Sequence, residues 1–145
     1  MPTGRMIKML QKELGQQLYD KFEFMRSAEG FCIPCHVKEG WYNLILGFCG
    51  ELKTYCIANK IATTSIKITG IKEKYGTLRI NYNNVEDKAC DDYLFNLTLK
   101  YEDLSTKICD MCGSTEGELK EKRGYYQTIC PDCLIKREAE INAKR

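Results

Sequence analysis

Cys109, Cys112, Cys130 and Cys133 stand in a C-x2-C-x17-C-x2-C array. Two residues between cysteines let a tight turn aim both thiolates at one ion while backbone N–H groups bond to the sulfurs. Two such knuckles, face to face, complete the tetrahedral sulfur cage that Zn²⁺ favours, with Zn–S near ~2.3 Å. Gly113 follows the first knuckle, where a left-handed backbone is often needed, and Pro131 pre-sets the turn of the second. Four thiolates fill the zinc and leave no position for water or substrate, so the array reads as a structural site. It names a metal and no activity.

A second C-x-x-C, Cys32-Ile33-Pro34-Cys35, is followed by His36, the only histidine. As C-x-x-C-H it matches c-type haem attachment, which needs an exported chain. As a redox pair it would open a helix after a strand, whereas here it falls in an irregular stretch between two helical patterns. As a possible second metal site, Cys32 and Cys35 need two further ligands. His36 diverges from its neighbour Cys35. Cys49 and Cys56, seven residues apart on one helix, are separated by roughly 10 Å along the axis, so at most one of them contributes, with Cys90 as the other. Reduced thiols packed in or near the core are the expectation.

The stretch Ile71-Lys72-Glu73-Lys74-Tyr75-Gly76-Thr77-Leu78-Arg79 gathers cations and an aromatic around a tight turn. Lys67, Lys72, Lys74, Tyr75 and Arg79 are the candidate partner-binding residues, able to grip a phosphate backbone or an acidic protein surface. The plainer reading is a solvated turn whose lysines keep an edge strand from pairing with neighbours. No catalytic constellation is visible. A single histidine excludes a histidine-based triad, and there is no Gly-rich phosphate loop or G-x-S-x-G elbow. The carboxylates Glu86, Asp87, Asp91, Asp92, Glu102 and Asp103 fall mostly opposite an apolar seam, where solvated charge belongs.

The elements that must position these residues belong to an ordinary globular chain. Its 145 residues are 43% hydrophobic and 29% charged, enough for one small core with a metal-stapled appendage. No run of about 18 apolar residues offers a membrane span. The opening MPTGRMIKMLQKELGQ lacks the apolar stretch of a signal peptide, and nine cysteines then imply a reducing, cytoplasmic setting. The net charge of +2 does not force a nucleic-acid partner. A basic segment, Lys60 to Tyr82, precedes an acidic one, Asn83 to Glu116, as in a self-complementary surface.

Apolar residues at Ile7, Leu10, Leu14, Leu18 and Phe22 predict a helix over residues 5–25. Trp41, Leu44, Ile45, Phe48, Leu52 and Cys56 predict a second, central helix to about Asn59. Period-two alternation from Thr64 to Tyr82 predicts a β-hairpin turning at Glu73–Gly76. Asn84, with Asp87 three positions on, is expected to cap a third helix that buries Cys90, Leu94, Leu97, Tyr101 and Leu104. Short strands at Gly117–Leu119 and Tyr125–Ile129 complete the ribbon, and a charged helix runs from Leu134. The fold class is α+β: helices packed on a small antiparallel β-hairpin, with a C-terminal zinc ribbon. Residues 1–106 form the core, and residues 107–145 the ribbon and last helix, in one compact unit.

Gly40-Trp41 opening a helix, then KEKYGTLRINY, then C-D-M-C-G and Y-Y-Q-T-I-C-P-D-C, resembles a group of small phage and bacterial proteins. That group shares a Gly-Trp helix start, a Lys-Glu-Lys-aromatic-Gly-x-Leu-Arg hairpin and a C-terminal cysteine ribbon. The likeness spans residues 40–133 and implies a phage or mobile-element origin, in a bacterial host cell, without implying an activity. The knuckles are also similar to those of rubredoxin, with a shorter spacer, which makes iron an alternative to zinc. The resulting expectation is a non-enzymatic zinc-binding accessory protein that binds a host protein of nucleic-acid metabolism or defence. The alternatives are a direct nucleic-acid binder, adding Lys120, Lys122 and Arg123 to the hairpin cations, and a small metal-dependent enzyme.

Overall fold

The structure, a computed structural model, describes residues 12–144. Its elements are mixed helix and strand. Helix α1 (Lys12–Lys21) is followed by a 3-10 turn at Glu23–Met25 and by a two-residue strand β1 (Cys35–His36). A further 3-10 turn at Glu39–Trp41 leads into α2 (Tyr42–Ala58). Strands β2 (Ile68–Lys74) and β3 (Thr77–Tyr82) form the hairpin and precede α3 (Lys88–Ser105). Strands β4 (Glu118–Lys122) and β5 (Tyr125–Ile129) and helix α4 (Pro131–Ala143) close the chain. Among the described residues no helix is long and apolar enough to cross a membrane.

The first helix ends at Lys21 and not at residue 25, because Phe22, Phe24 and Met25 turn inward and are buried. Its expected start at residues 5–11 lies outside the described residues. Helix α2 is the central one: Ile45, Phe48, Cys49, Leu52 and Cys56 are fully buried. It closes on Lys60, whose φ of 56° lets the Ile61 amide reach back to the Cys56 carbonyl at 2.8 Å, a helix ending usually given to glycine. Gly47 makes room for its neighbour, since a Cβ there would sit 2.8 Å from the Tyr101 hydroxyl. Tyr101 in turn packs edge-on against Phe48.

The hairpin starts at Ile68, later than the alternation suggested, since Thr63–Ser65 form a 3-10 turn instead. Its connection is the two-residue pair Tyr75–Gly76, both at positive φ (53° and 78°), as a type I′ turn requires. A register shift between Ile68 and Gly70 lets Ile68 and Ile71, an odd number of residues apart, both face the core, where each is 1% exposed. The sheet has a third strand that the alternation did not show: Cys35 and His36 pair in parallel with Ile71 and Lys72. Two residues are too few to carry a period.

Helix α3 is capped by Asp87 and not by Asn84. The cap must immediately precede the first helical residue, and the Asp87 carboxylate accepts from the Cys90 amide at 2.8 Å. Cys90, Leu94, Leu97, Tyr101 and Ser105 form its buried face. Helix α4 begins at Pro131, inside the second knuckle, with Cys130 as its cap. Proline at the first turn costs no hydrogen bond, because that amide is unpaired in any helix.

Candidate metal centre

The four ribbon cysteines each offer a sulfur, and all four sulfurs lie within 4.8 Å of one another. Cys112 and Cys130 Sγ are 3.7 Å apart. A tetrahedral ion with ~2.3 Å bonds spaces its sulfurs about 3.8 Å apart, so the cage has the size of a tetrathiolate site. The cluster can hold a metal ion. Cys109, Cys130 and Cys133 are buried, and Cys112 faces solvent. The first knuckle is closed by the Gly113 amide donating to the Cys109 carbonyl at 2.9 Å, with Gly113 at φ 82°. In the second, the Cys133 amide donates to Cys130 Sγ at 3.4 Å.

The thiols share charge unevenly. Burial works to raise Cys130, yet the Cys133 amide and the neighbouring thiols hold it below the ordinary thiol value. Burial, then hydrogen bonds with the other three, push Cys133 up, and burial pushes Cys112 up as well. Cysteine sulfurs bind metal as thiolates, so their protons must leave first. A divalent cation displaces those protons, so the affinity of such a site rises with pH.

The walls of the site come from the core. A Cβ on Gly40 would lie 2.4 Å from both the Asp110 carbonyl carbon and the Cys109 oxygen, so only glycine lets the knuckle seat. The Gly40 amide donates to the Asp110 carbonyl at 2.9 Å, and the Trp41 indole Nε1 donates to the Ile108 carbonyl at 2.8 Å. Gly117 closes the other flank, where a Cβ would meet the Cys109 amide nitrogen at 2.5 Å. The Asp110 amide reaches the Thr128 carbonyl at 2.9 Å, tying one knuckle to the strand that carries the other.

A polar chain with a buried middle, Asp110 and Gln127, backs this seam. The Asp110 carboxylate pairs with Lys38 at 3.6 Å and accepts from Gln127 Nε2 at 2.9 Å. Gln127 Oε1 accepts from Arg137 of α4. Burial raises the Asp110 carboxyl, and Lys38 and Gln127 pull it back. Asp110, Gln127, Lys38 and Arg137 carried no signal as single polar residues in the sequence. Gly40 and Trp41 did stand out there as a motif, and the seam explains what they do.

The hairpin tip docks on the same seam. Thr128 Oγ1 donates to the Gly76 carbonyl at 2.8 Å, and a Cβ on Gly76 would strike Leu119 at 2.5 Å. Tyr75 meets Tyr126 edge-on, with ring centroids 5.7 Å apart, and remains 61% exposed. Lys74 Nζ lies 5.7 Å from the Tyr75 ring centre. Lys67 and Lys72 are exposed. Arg79 is engaged within the chain: its Nε bonds Thr77 Oγ1 at 2.9 Å and pairs with Glu102 at 3.5 Å. In the ribbon, Lys120 pairs with Glu118, while Lys122 and Arg123 are exposed.

Cys32 and Cys35 acquire no metal-ligating partners among the described residues, where the ribbon cluster is the one group of at least three ligands that could hold an ion. His36 follows Cys35 on a strand and is exposed while Cys35 is half-buried, because successive strand side chains alternate. Cys49, Cys56 and Cys90 are buried as free thiols. No family model, no curated protein and no solved structure matches this chain, so its function is read from the site's own geometry.

Proposed function

We propose that the protein is a non-enzymatic zinc-ribbon adaptor, encoded by a phage or mobile element, that binds a host protein through the seam between hairpin tip and ribbon. One observation carries the reading. The hairpin turn does not project freely but leans on the ribbon, so Tyr75 and Tyr126 form one aromatic ledge with Lys74 beside it. Rigid aromatic rings bury large area at small entropic cost and serve as binding anchors. Zinc suits the four-thiolate cage with no open position, and its work is to hold the ledge in shape.

A protein partner fits better than nucleic acid because carboxylates interrupt the cations: Glu118 and Glu121 lie on β4 between and beside Lys120 and Lys122, and Arg79 is already paired. The second reading rests on a separate cleft of about 410 Å³ where Lys122, Arg123 and Arg137 surround Tyr125, a setting for a stacked base. Affinity capture from bacterial lysate with wild type and a Lys74→Glu/Tyr75→Ala variant tests the first. The variant is expected to lose the captured protein while keeping its metal. Undiminished capture by the variant overturns the ledge. Capture that collapses steeply with salt and yields nucleic acid moves the function to the second cleft.

A further inference from the structure

We infer that Cys32 and Cys35 form a thiol–disulfide exchange site that takes low-molecular-weight disulfides, in a cleft separate from the metal centre and its seam. The cleft holds about 310 Å³ and is lined by Lys12, Gly15, Gln16 and Phe31 as well as the two cysteines. Its floor is fixed on both sides. The Ile33 amide bonds the Met25 carbonyl at 3.0 Å, and the Pro34 carbonyl accepts from the Ile71 amide at 3.0 Å, so the C-x-x-C turn is pinned between two elements. Its roof is α1, where Gly15 leaves only a hydrogen above Cys32: a Cβ there would lie 3.7 Å from the Cys32 Cβ. Phe31, 60% exposed, offers an apolar rim, and Lys12 a positive one.

The two sulfurs are unlike. A hydrogen bond from Cys35 holds the Cys32 thiol below its ordinary value, against the effect of burial. Cys35 is pushed up by that same bond, by burial and by the neighbouring Cys32 and Cys49, and its Sγ sits 3.5 Å from the Ile33 carbonyl. Cys32 lies under Gly15 at the roof of the cleft, whereas Cys35 is held in β1 against Ile71; with the shifts in the same sense, Cys32 is the attacking thiol and Cys35 the resolving one. The Cys32 thiolate attacks one sulfur of R–S–S–R. A Cys32–S–S–R bond forms, the S–S bond of the reagent breaks, and RS⁻ leaves with the electron pair and takes up a proton. Cys35 then gives its proton to solvent and attacks Cys32 Sγ, releasing a second RS⁻. The dithiol has lost two electrons, and the disulfide has become two thiols.

The test uses the full metal-loaded chain and glutathione disulfide, with peptide mapping by mass spectrometry and metal content measured in parallel. Wild type is expected to form one Cys32–Cys35 disulfide with its metal retained. Cys35→Ser is expected to stop at a glutathione adduct on Cys32, and Cys32→Ser to react at Cys35 at least roughly tenfold more slowly. Gly15→Leu, whose Cβ would rest in ordinary contact on the Cys32 Cβ and whose branch would cover the cleft, is expected to slow the wild-type reaction by a similar factor. The inference is overturned if the pair stays reduced while other thiols oxidise, or if Cys35 in the Cys32→Ser chain reacts as fast as Cys32 in the Cys35→Ser chain.

Discussion

Ser105 shows how much one small buried side chain can hold. It has no solvent exposure, its hydroxyl accepts from the Leu78 amide at 2.9 Å, and it donates to the Glu102 carbonyl. The bond couples the hairpin to α3 at a point no backbone ladder reaches. Ser105→Ala leaves the Leu78 amide buried without a partner and is expected to cost about 1–3 kcal/mol, measured by denaturant unfolding. Ser105→Thr, which keeps the hydroxyl, should recover part of the loss. Glu51 gives the residue-scale pH prediction. Its carboxylate accepts from the Tyr101 hydroxyl and pairs with Lys100 at 2.9 Å, and the Tyr101 bond, then Lys100, hold it below the ordinary carboxylate value. A depressed folded value means the contribution is present above the unfolded carboxyl value, about 4.3, and is lost as pH falls through the lower folded one. Glu51→Gln should therefore melt earlier than wild type at neutral pH and converge with it in acid.

At the scale of elements, the hairpin turn sets conformation against surface. Tyr75 occupies a left-handed position, φ 53°, that suits Asn or Gly far better than a bulky side chain. Tyr75→Asn relieves the backbone while removing the ring from the ledge with Tyr126. It is expected to leave the melting temperature level or higher and to abolish partner capture. A variant that loses both together would make the tyrosine a packing residue. The elements differ in how visible they were. The α+β class, the two central helices and the cysteine array follow from long periodic runs and a fixed spacing, which local sequence carries. Strand β1 was not visible, because Cys35–His36 pair with residues 36 positions away and two residues hold no pattern. The cap is Asp87 and not Asn84 because α3 begins three residues later than the sequence suggests, and no local pattern between Asn84 and Lys88 fixes that start. The polar chain from Lys38 through Asp110 and Gln127 to Arg137 joins four separate segments, and only the fold puts it together.

Across the whole molecule, the four-cysteine site lies within the smaller of two hydrophobic clusters, with Ile129, and the seam at Gly40 and Trp41 joins that cluster to the large core. Metal removal by a strong chelator should thus reach beyond the ribbon. The Gly40 amide, bonded across this seam to the Asp110 carbonyl, is expected to lose hydrogen-exchange protection along with the ribbon, while α2 amides around Phe48 and Leu52 keep theirs. Loss of protection confined to residues after Cys109 would show that the core holds its edge unaided. The seating of the first knuckle against Gly40 has a consequence for how this chain can change over generations. At Gly40 and Gly117 the nearest obstacles are backbone atoms, which no second-site replacement of a side chain can trim away. Those positions have no compensated route to another residue, whereas Tyr75, Lys74 and the outward residues of β4 can vary one at a time. Descendants of this sequence would keep an invariant frame and be free to alter what it displays.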